Sequence, residues 1–199
     1  MVPGELNHII NTDIYLIDQI LKGRYKDGGK LLDAGCGSGR NISWFVLQPN
    51  FDIHAIDTDE NAINHLSQIY PSLKQDQLHY AQVQSLPFHD EFFQHIICSA
   101  VLHFAKSKGN FLEMFSELNR VLKPGGSLFI RAASDIGIES KILLLGGGRF
   151  SLPDGTVRFL LTKKLIEDVL NTFPMKLAEP VKTTNVQDMR CMTTLVFVK

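Results

Sequence analysis

The sequence predicts an α/β fold on a doubly wound, mostly parallel sheet, and three observations predict it. Apolar strand-like runs alternate with amphipathic helix-like runs through the middle of the chain, the pattern that builds parallel sheets. In the segment Lys30–Asn41, an apolar run enters Asp33, meets three glycines in alternation with small residues, and continues as a helix-like sequence. A second apolar run, Phe51–Ile56, ends in Asp57, 24 residues after Asp33, which suits a β-α-β unit.

The elements follow in order. Residues 5–22 read as a helix, because Leu6, Ile10, Ile14, Ile17 and Leu21 draw one apolar face. Residues 31–33 form the first strand, and a helix over 40–48 stops near Pro49. After the second strand comes a helix over 59–70, with Ile63, Leu66 and Ile69 inward and Asp59 or Thr58 as its cap. Residues 78–82 and 95–99 read as strands. Residues 110–122 form a helix with Phe111, Phe115, Leu118 and Leu122 on one face, and a strand follows at 127–132. Residues 133–159 have no clear period; Gly146–Gly148 and Pro153-Asp154-Gly155 mark turns. Such a stretch is an ordered substrate lid or a mobile loop. A helix returns at 162–171, capped by Thr162, and Met175–Val181 and Cys191–Val198 read as strands joined by Lys182–Asp188. Right-handed crossovers place helices on both faces of the sheet. Asp33, Asp57, Gln82 and Ser99 then share the carboxyl edge, where open α/β sheets bind ligands.

The glycine turn suits a nucleotide-like ligand. Glycine permits positive φ and close approach, and a helix N-terminus behind it presents free N–H groups. A dinucleotide fingerprint fails: its third glycine would fall on Arg40 or Ile42. A phosphate-binding P-loop fails because no lysine follows the glycines. Asp-x-Gly-x-Gly-x-Gly remains, and it resembles the first motif of class I S-adenosylmethionine (SAM) methyltransferases. Four further segments match in order: Phe51–Asp59, Tyr80–Phe88 with its Leu-Pro-Phe, Phe92–Phe104, and Glu117–Ile130 with its Lys-Pro-Gly-Gly turn. The resemblance covers residues 30–131 closely and the remainder loosely. Within the superfamily, Gly37–Asn41, the compact size and the ending Arg190–Val198 resemble tellurite-resistance-type methyltransferases; another small-molecule subgroup with Leu-Pro-Phe fits equally.

The resemblance implies a Rossmann-like seven-stranded sheet, mostly parallel with an antiparallel last strand, in a single domain over residues 1–199. It implies an N-terminal helix, 5–22, over the cofactor site, and SAM as methyl-donor cosubstrate. The implied cofactor-binding residues are Asp33, Gly35, Cys36, Gly37, Gly39, Asp57, Thr58, Gln82, Val83 and Ser99. Asp57 would take the ribose hydroxyls, and Gln82 stands where an adenine-binding acid is usual. Gln94 replaces a second common acid.

Methyl transfer is an in-line displacement, so alignment of donor and acceptor is the main demand. No covalent nucleophile or obligatory metal follows. An oxygen or nitrogen acceptor can need a base, and His103, after the fourth strand, is the candidate; a packed histidine at a helix start is the plainer reading. Tyr15, Phe104 and Arg158 are candidates for the acceptor site, and Arg131, Arg158 and Arg190 for an anionic acceptor. A non-catalytic SAM-binding or interaction protein on the same fold is the alternative.

Composition narrows the rest. Net charge is −1 and charged residues are 21%, so nucleic acid or an anionic membrane is not an expected partner. No apolar run is long enough to span a bilayer. Three widely spaced cysteines, Cys36, Cys98 and Cys191, suit reduced thiols and a cytoplasmic location. No metal-ligand spacing is present. The expected partner is a small-molecule acceptor.

Overall fold

A computed structural model describes residues 9–199. Its main sheet is built from β1 (Gly29–Ala34), β2 (Phe51–Asp57), β3 (Leu78–Tyr80), β4 (Phe93–Ser99) and β5 (Leu122–Ser134). The sheet also holds β9 (Lys176–Leu177), β10 (Lys182–Val186) and β11 (Arg190–Val198). The order is β10-β11-β5-β4-β1-β2-β3, with the two-residue β9 beside β11 as an eighth strand. β1 pairs parallel with β2 and β4, β2 with β3, and β4 with β5. β11 runs antiparallel to β5. The Rossmann-like sheet and its antiparallel last strand are therefore as expected.

Strand alternation sends successive side chains to opposite faces. Leu31, Ile53, Ile97, Phe129 and Val196 pack on one face with α1 (Ile14–Leu21) and α2 (Glu60–Ile69) through Leu16, Ile63 and Leu66. Leu32, Ile96, Cys98, Leu128 and Ile130 pack on the other. There they meet Phe111, Phe115 and Leu118 of α3 (Lys108–Val121) and Leu165, Ile166 and Val169 of α4 (Lys163–Thr172). The cap side chains of Asp13, Asp59, Ser107 and Thr162 accept N–H bonds from the first turns of the four helices.

Several boundaries differ from the sequence reading. Among the described residues the first helix starts at Ile14; the expected start at residue 5, with Leu6, lies outside them. Its expected apolar face is not the buried one. Ile10, Ile14 and Leu21 are exposed, whereas Leu16 and Gln19 are buried. Gln19 sits inward because its amide bonds Asp18, Glu179 and Arg24. Ile69 is likewise exposed. The helix expected over 40–48 is a run of turns closing in a short 3₁₀ segment, Phe45–Leu47. The expected connection Lys182–Asp188 contains β10, so the hairpin turn shrinks to 187–189; Gln187 and Asp188 both take positive φ there.

Residues 133–159 hold a second, antiparallel sheet: β6 (Leu143–Gly146), β7 (Arg149–Ser151) and β8 (Val157–Phe159), in that order. Ala133, Leu152 and Leu160 form its small core. Gly148 has φ +85° and lies against Phe159, where a Cβ would sit 2.5 Å from the ring. Short strands and tight turns hide the period that a longer hairpin would show.

Candidate active site

The glycine turn folds back on β2. The N–H groups of Gly35 and Cys36 both donate to the Ile56 carbonyl at 2.9 Å, and the Gly37 N–H donates to Asp57 Oδ2 at 2.8 Å. The expectation of free amides at a following helix N-terminus is corrected: no α-helix follows, and these donors hold the turn to the neighbouring strand. The glycines are required sterically. At Gly35, φ is +82° and a Cβ would lie 2.3 Å from Val101 Cγ2. Gly39 has φ +74°, and its Cβ would press Tyr70 at 2.9 Å.

In front of this turn lies a cavity of about 400 Å³. Gly35, Cys36, Gly37, Asp57, Thr58, Val83 and Ser99 line it, as does Phe104, which the sequence reading assigned to the acceptor side. Ser38, Arg40, Asn41, Ala81, Ala100 and Val101 complete the wall. Asp57 Oδ1 also accepts the Asp59 N–H at 3.0 Å. Each Asp57 oxygen retains a second lone pair for a ligand hydroxyl. Asp59 caps α2, which leaves Asp57 to the cavity.

Three expected cofactor residues are placed otherwise. Gln82 is exposed and off the wall, and its carbonyl oxygen accepts from the Gln84 amide. Gly39 supports the turn from behind. Asp33 is 1% exposed and does not reach the wall, yet neither carboxylate oxygen has a partner. Burial, with Asp57 nearby, raises its pKa to about 7, against a smaller opposing pull from Arg40. Burial pushes the Cys36 thiol well above its ordinary value, and the Asp33 and Asp57 carboxylates add to that. Ser99 Oγ is also buried without a partner. Gln94, by contrast, is structural: its Oε1 accepts the Lys30 N–H at 2.7 Å and ties β4 to β1.

A second cavity, of about 320 Å³, adjoins the first at Arg40 and Ala100, which line both. His103, Arg131, Arg158 and Arg190 face it, with Asp13 and Asp154. The small sheet supplies its far wall through Leu152, Asp154, Thr156 and Arg158. Ala100 at the junction holds φ +63°, rare for a residue with a Cβ, and its N–H donates to the Arg131 carbonyl at 2.7 Å. The Arg158 guanidinium lies 5.0 Å over the Phe104 ring, a second point where the two walls touch. Tyr15 lines neither cavity. Its hydroxyl bonds Thr184 at 2.8 Å, and its ring stands 4.8 Å from Arg131, so it supports that arginine.

The N-terminal segment is fastened to this region. Thr12 Oγ1 donates to the Arg40 carbonyl, and the Asp13 N–H donates to Asn41 Oδ1. Asp13 then pairs with Arg131 at 3.1 Å in a mostly buried ion pair. His103 Nδ1 accepts the Ala133 N–H at 3.3 Å, so the neutral ring carries its proton on Nε2. Burial, aided by Arg158 and Arg190, lowers the His103 pKa to about 4. The contribution of Asn41, Ala100 and the Asp13–Arg131 pair was not legible in sequence. The Asp13 N–H bond to Asn41, the Asp13–Arg131 pair and the Ala100 N–H bond to the Arg131 carbonyl bring them together.

Fold and wall chemistry define a Rossmann-like protein with a cavity of about 400 Å³ at the carboxyl edge of its sheet. A family profile described as a methyltransferase domain matches residues 32–130, just under half of the chain, and the chain is similar there to SAM-dependent methyltransferases. It is 37% identical over 122 residues to the biotin biosynthesis bifunctional protein BioHC of Teredinibacter turnerae, covering 57% of this chain and 20% of that one. The chain spans about half or less of the curated relatives it matches. A Pyrococcus horikoshii protein shares the fold with a TM-score of 0.71 at 17% identity, over 97% of this chain and 95% of that one. The N-methyltransferase NodS of Bradyrhizobium japonicum, in complex with S-adenosyl-L-homocysteine, has a TM-score of 0.68 at 16% identity, over 99% and 91%. Among the described residues, no helix is long and apolar enough to cross a membrane.

Proposed function

We propose that this chain transfers the methyl group of SAM to a small-molecule acceptor. The observation that carries this reading is the junction of two cavities at Arg40 and Ala100. One cavity has the size and polarity for the donor, the other for an acceptor, and in-line transfer needs the two to meet. Several named relatives are methyltransferases of small molecules, among them demethylmenaquinone methyltransferase of Staphylococcus aureus, which supports the class of acceptor.

In this reading Asp57 accepts bonds from the ribose hydroxyls, and the Gly35–Gly37 turn with Thr58 packs against the sugar. Ala81 and Val83 flank the base. The cationic amino-acid end of SAM would meet Ser99, whose buried Oγ on the cavity wall has no partner, with the unpaired Asp33 carboxyl buried behind the wall and acting through its charge. A ligand ammonium nearby would return Asp33 to its charged form. SAM supplies an activated methyl on a sulfonium. His103, with Nδ1 bonded to backbone, acts as an Nε2–H donor on the acceptor side.

The test combines calorimetry of S-adenosylhomocysteine with a methyl-transfer screen over small acids, amines, thiols and oxyanions. Binding together with turnover supports the enzyme. Binding without turnover of any acceptor would convert the reading to a SAM-binding module, and absence of binding would remove it.

A further inference from the structure

We infer that the acceptor is a small organic anion, held as a carboxylate in the second cavity and methylated on its own oxygen without loss of a proton. This rests on the methyl-transfer reading above and names its substrate class. Four guanidiniums, Arg40, Arg131, Arg158 and Arg190, line a space that only two carboxylates share. Asp13 is committed to Arg131 at 3.1 Å, and Asp154 bonds the Thr156 N–H and hydroxyl and lies 3.9 Å from Arg190. Arg40 and Arg158 have no carboxylate of their own among the described ion pairs. They stand at the two places where the cavities touch, so excess positive charge is concentrated beside the donor cavity. Guanidinium forks match carboxylate geometry and give short, charge-assisted bonds.

The same walls offer no uncommitted proton acceptor among the described lining residues. His103 already uses Nδ1 on the Ala133 N–H and offers only a donor. Both aspartates are bonded as described. A hydroxyl or ammonium acceptor would find only carboxylates already held by an arginine or by Thr156 to take its proton, whereas a carboxylate brings its lone pair ready. In the step, a carboxylate oxygen pair forms the O–CH₃ bond, and the S–CH₃ pair returns to sulfur. Carboxylate and sulfonium become neutral ester and neutral thioether, and no proton moves. Loss of the anionic charge weakens the hold of Arg40 and Arg158, which favours release of the ester.

The experiment offers the protein SAM and a panel of small aliphatic and aromatic carboxylic acids, each beside its primary amide and a matched amine. Product mass and lability to mild base are read together with S-adenosylhomocysteine formation. Turnover of acids and not amides is expected, with a base-labile ester as product. Arg158→Gln should raise the acceptor KM about tenfold or more, as expected for one lost charge-assisted bond. S-adenosylhomocysteine affinity should stay within about twofold, since Arg158 does not line the donor cavity. A preferred amine or neutral acceptor, a base-stable product, an unmoved KM, or no acid turned over by protein that binds S-adenosylhomocysteine would each overturn the inference. Failure to bind S-adenosylhomocysteine would instead strike the underlying methyl-transfer reading.

Discussion

Asp33→Asn should make the unliganded protein more stable and SAM binding weaker. The Asp33 carboxyl is 1% exposed and its oxygens have no partner. Its pKa rises from 3.8 to about 7, roughly three units, or about 4 kcal/mol at 1.36 kcal/mol per unit. The sign follows from proton binding: between those values the folded state holds a proton that the unfolded chain has released. For this group, stability is fully present below about pH 4 and is lost as pH rises to about 7. Asparagine removes that loss but leaves a buried amide unpaired, at about 1–3 kcal/mol. The net gain at pH 8 is about 2 kcal/mol, or about 4–8 °C in Tm for a chain of this size. Thermal melts from pH 4 to 8, with and without S-adenosylhomocysteine, measure it. The wild type should show the larger shift with ligand, because the positive charge of a ligand ammonium in the cavity favours the carboxylate and has no such effect on the amide. A variant no more stable than wild type at pH 8, or equally stabilised by ligand, would refute the argument.

Other outcomes follow from the same geometry. Asp57→Ala should weaken SAM binding by about 1.5–3 kcal/mol per lost charged bond, tenfold or more by calorimetry; an unchanged Kd refutes the ribose assignment. Gly35→Ala meets Val101 and keeps φ +82°, so it should lower Tm and abolish the cofactor cavity; a folded variant with wild-type affinity would contradict the fit. His103→Ala strips the buried Ala133 N–H of its acceptor and should cost about 1–3 kcal/mol in chemical denaturation. If His103 were instead a base, turnover on a protonated acceptor would collapse with stability intact. Phe115→Ala, at a fully buried ring against Phe197 and Phe173, should cost about 3–5 kcal/mol and leave cofactor affinity unchanged in whatever remains folded.

The centre of the sheet was legible because β1 and β2 are largely buried and run into a glycine or an acid. Leu31–Asp33 and Ile53–Asp57 announce themselves by apolar runs that no helix period explains. The donor cavity was legible for the same reason: Gly35, Gly37, Asp57 and Ser99 sit at strand ends. Apolar spacing misled at α1, where Ile10 and Ile14 draw a face, but the Gln19 network and Leu16 decide what is buried. It also misled at 40–48, where the turn's hydrogen bonds to β2 leave no register for a helix. Gln82 was placed by analogy of position and faces away. The second sheet went unread because three-residue strands show no period. The acceptor-side wall depends on long-range register: Arg131 and Arg190 lie on adjacent antiparallel strands, and Arg158 reaches them from a separate hairpin.

The two cavities draw on different parts of the chain. The donor wall lies within residues 35–104, inside the stretch that matches the family profile. Apart from Asp13, Arg40, Ala100 and His103, the wall of the second cavity comes from residues 131–192, all of which lie beyond that stretch. On the proposed reading, the two reactants are held by different stretches of sequence. Selection can rewrite the hairpin carrying Leu152 to Arg158 without disturbing the machinery that holds the common donor. A graft of that hairpin from a related enzyme would be the natural way to retarget this scaffold.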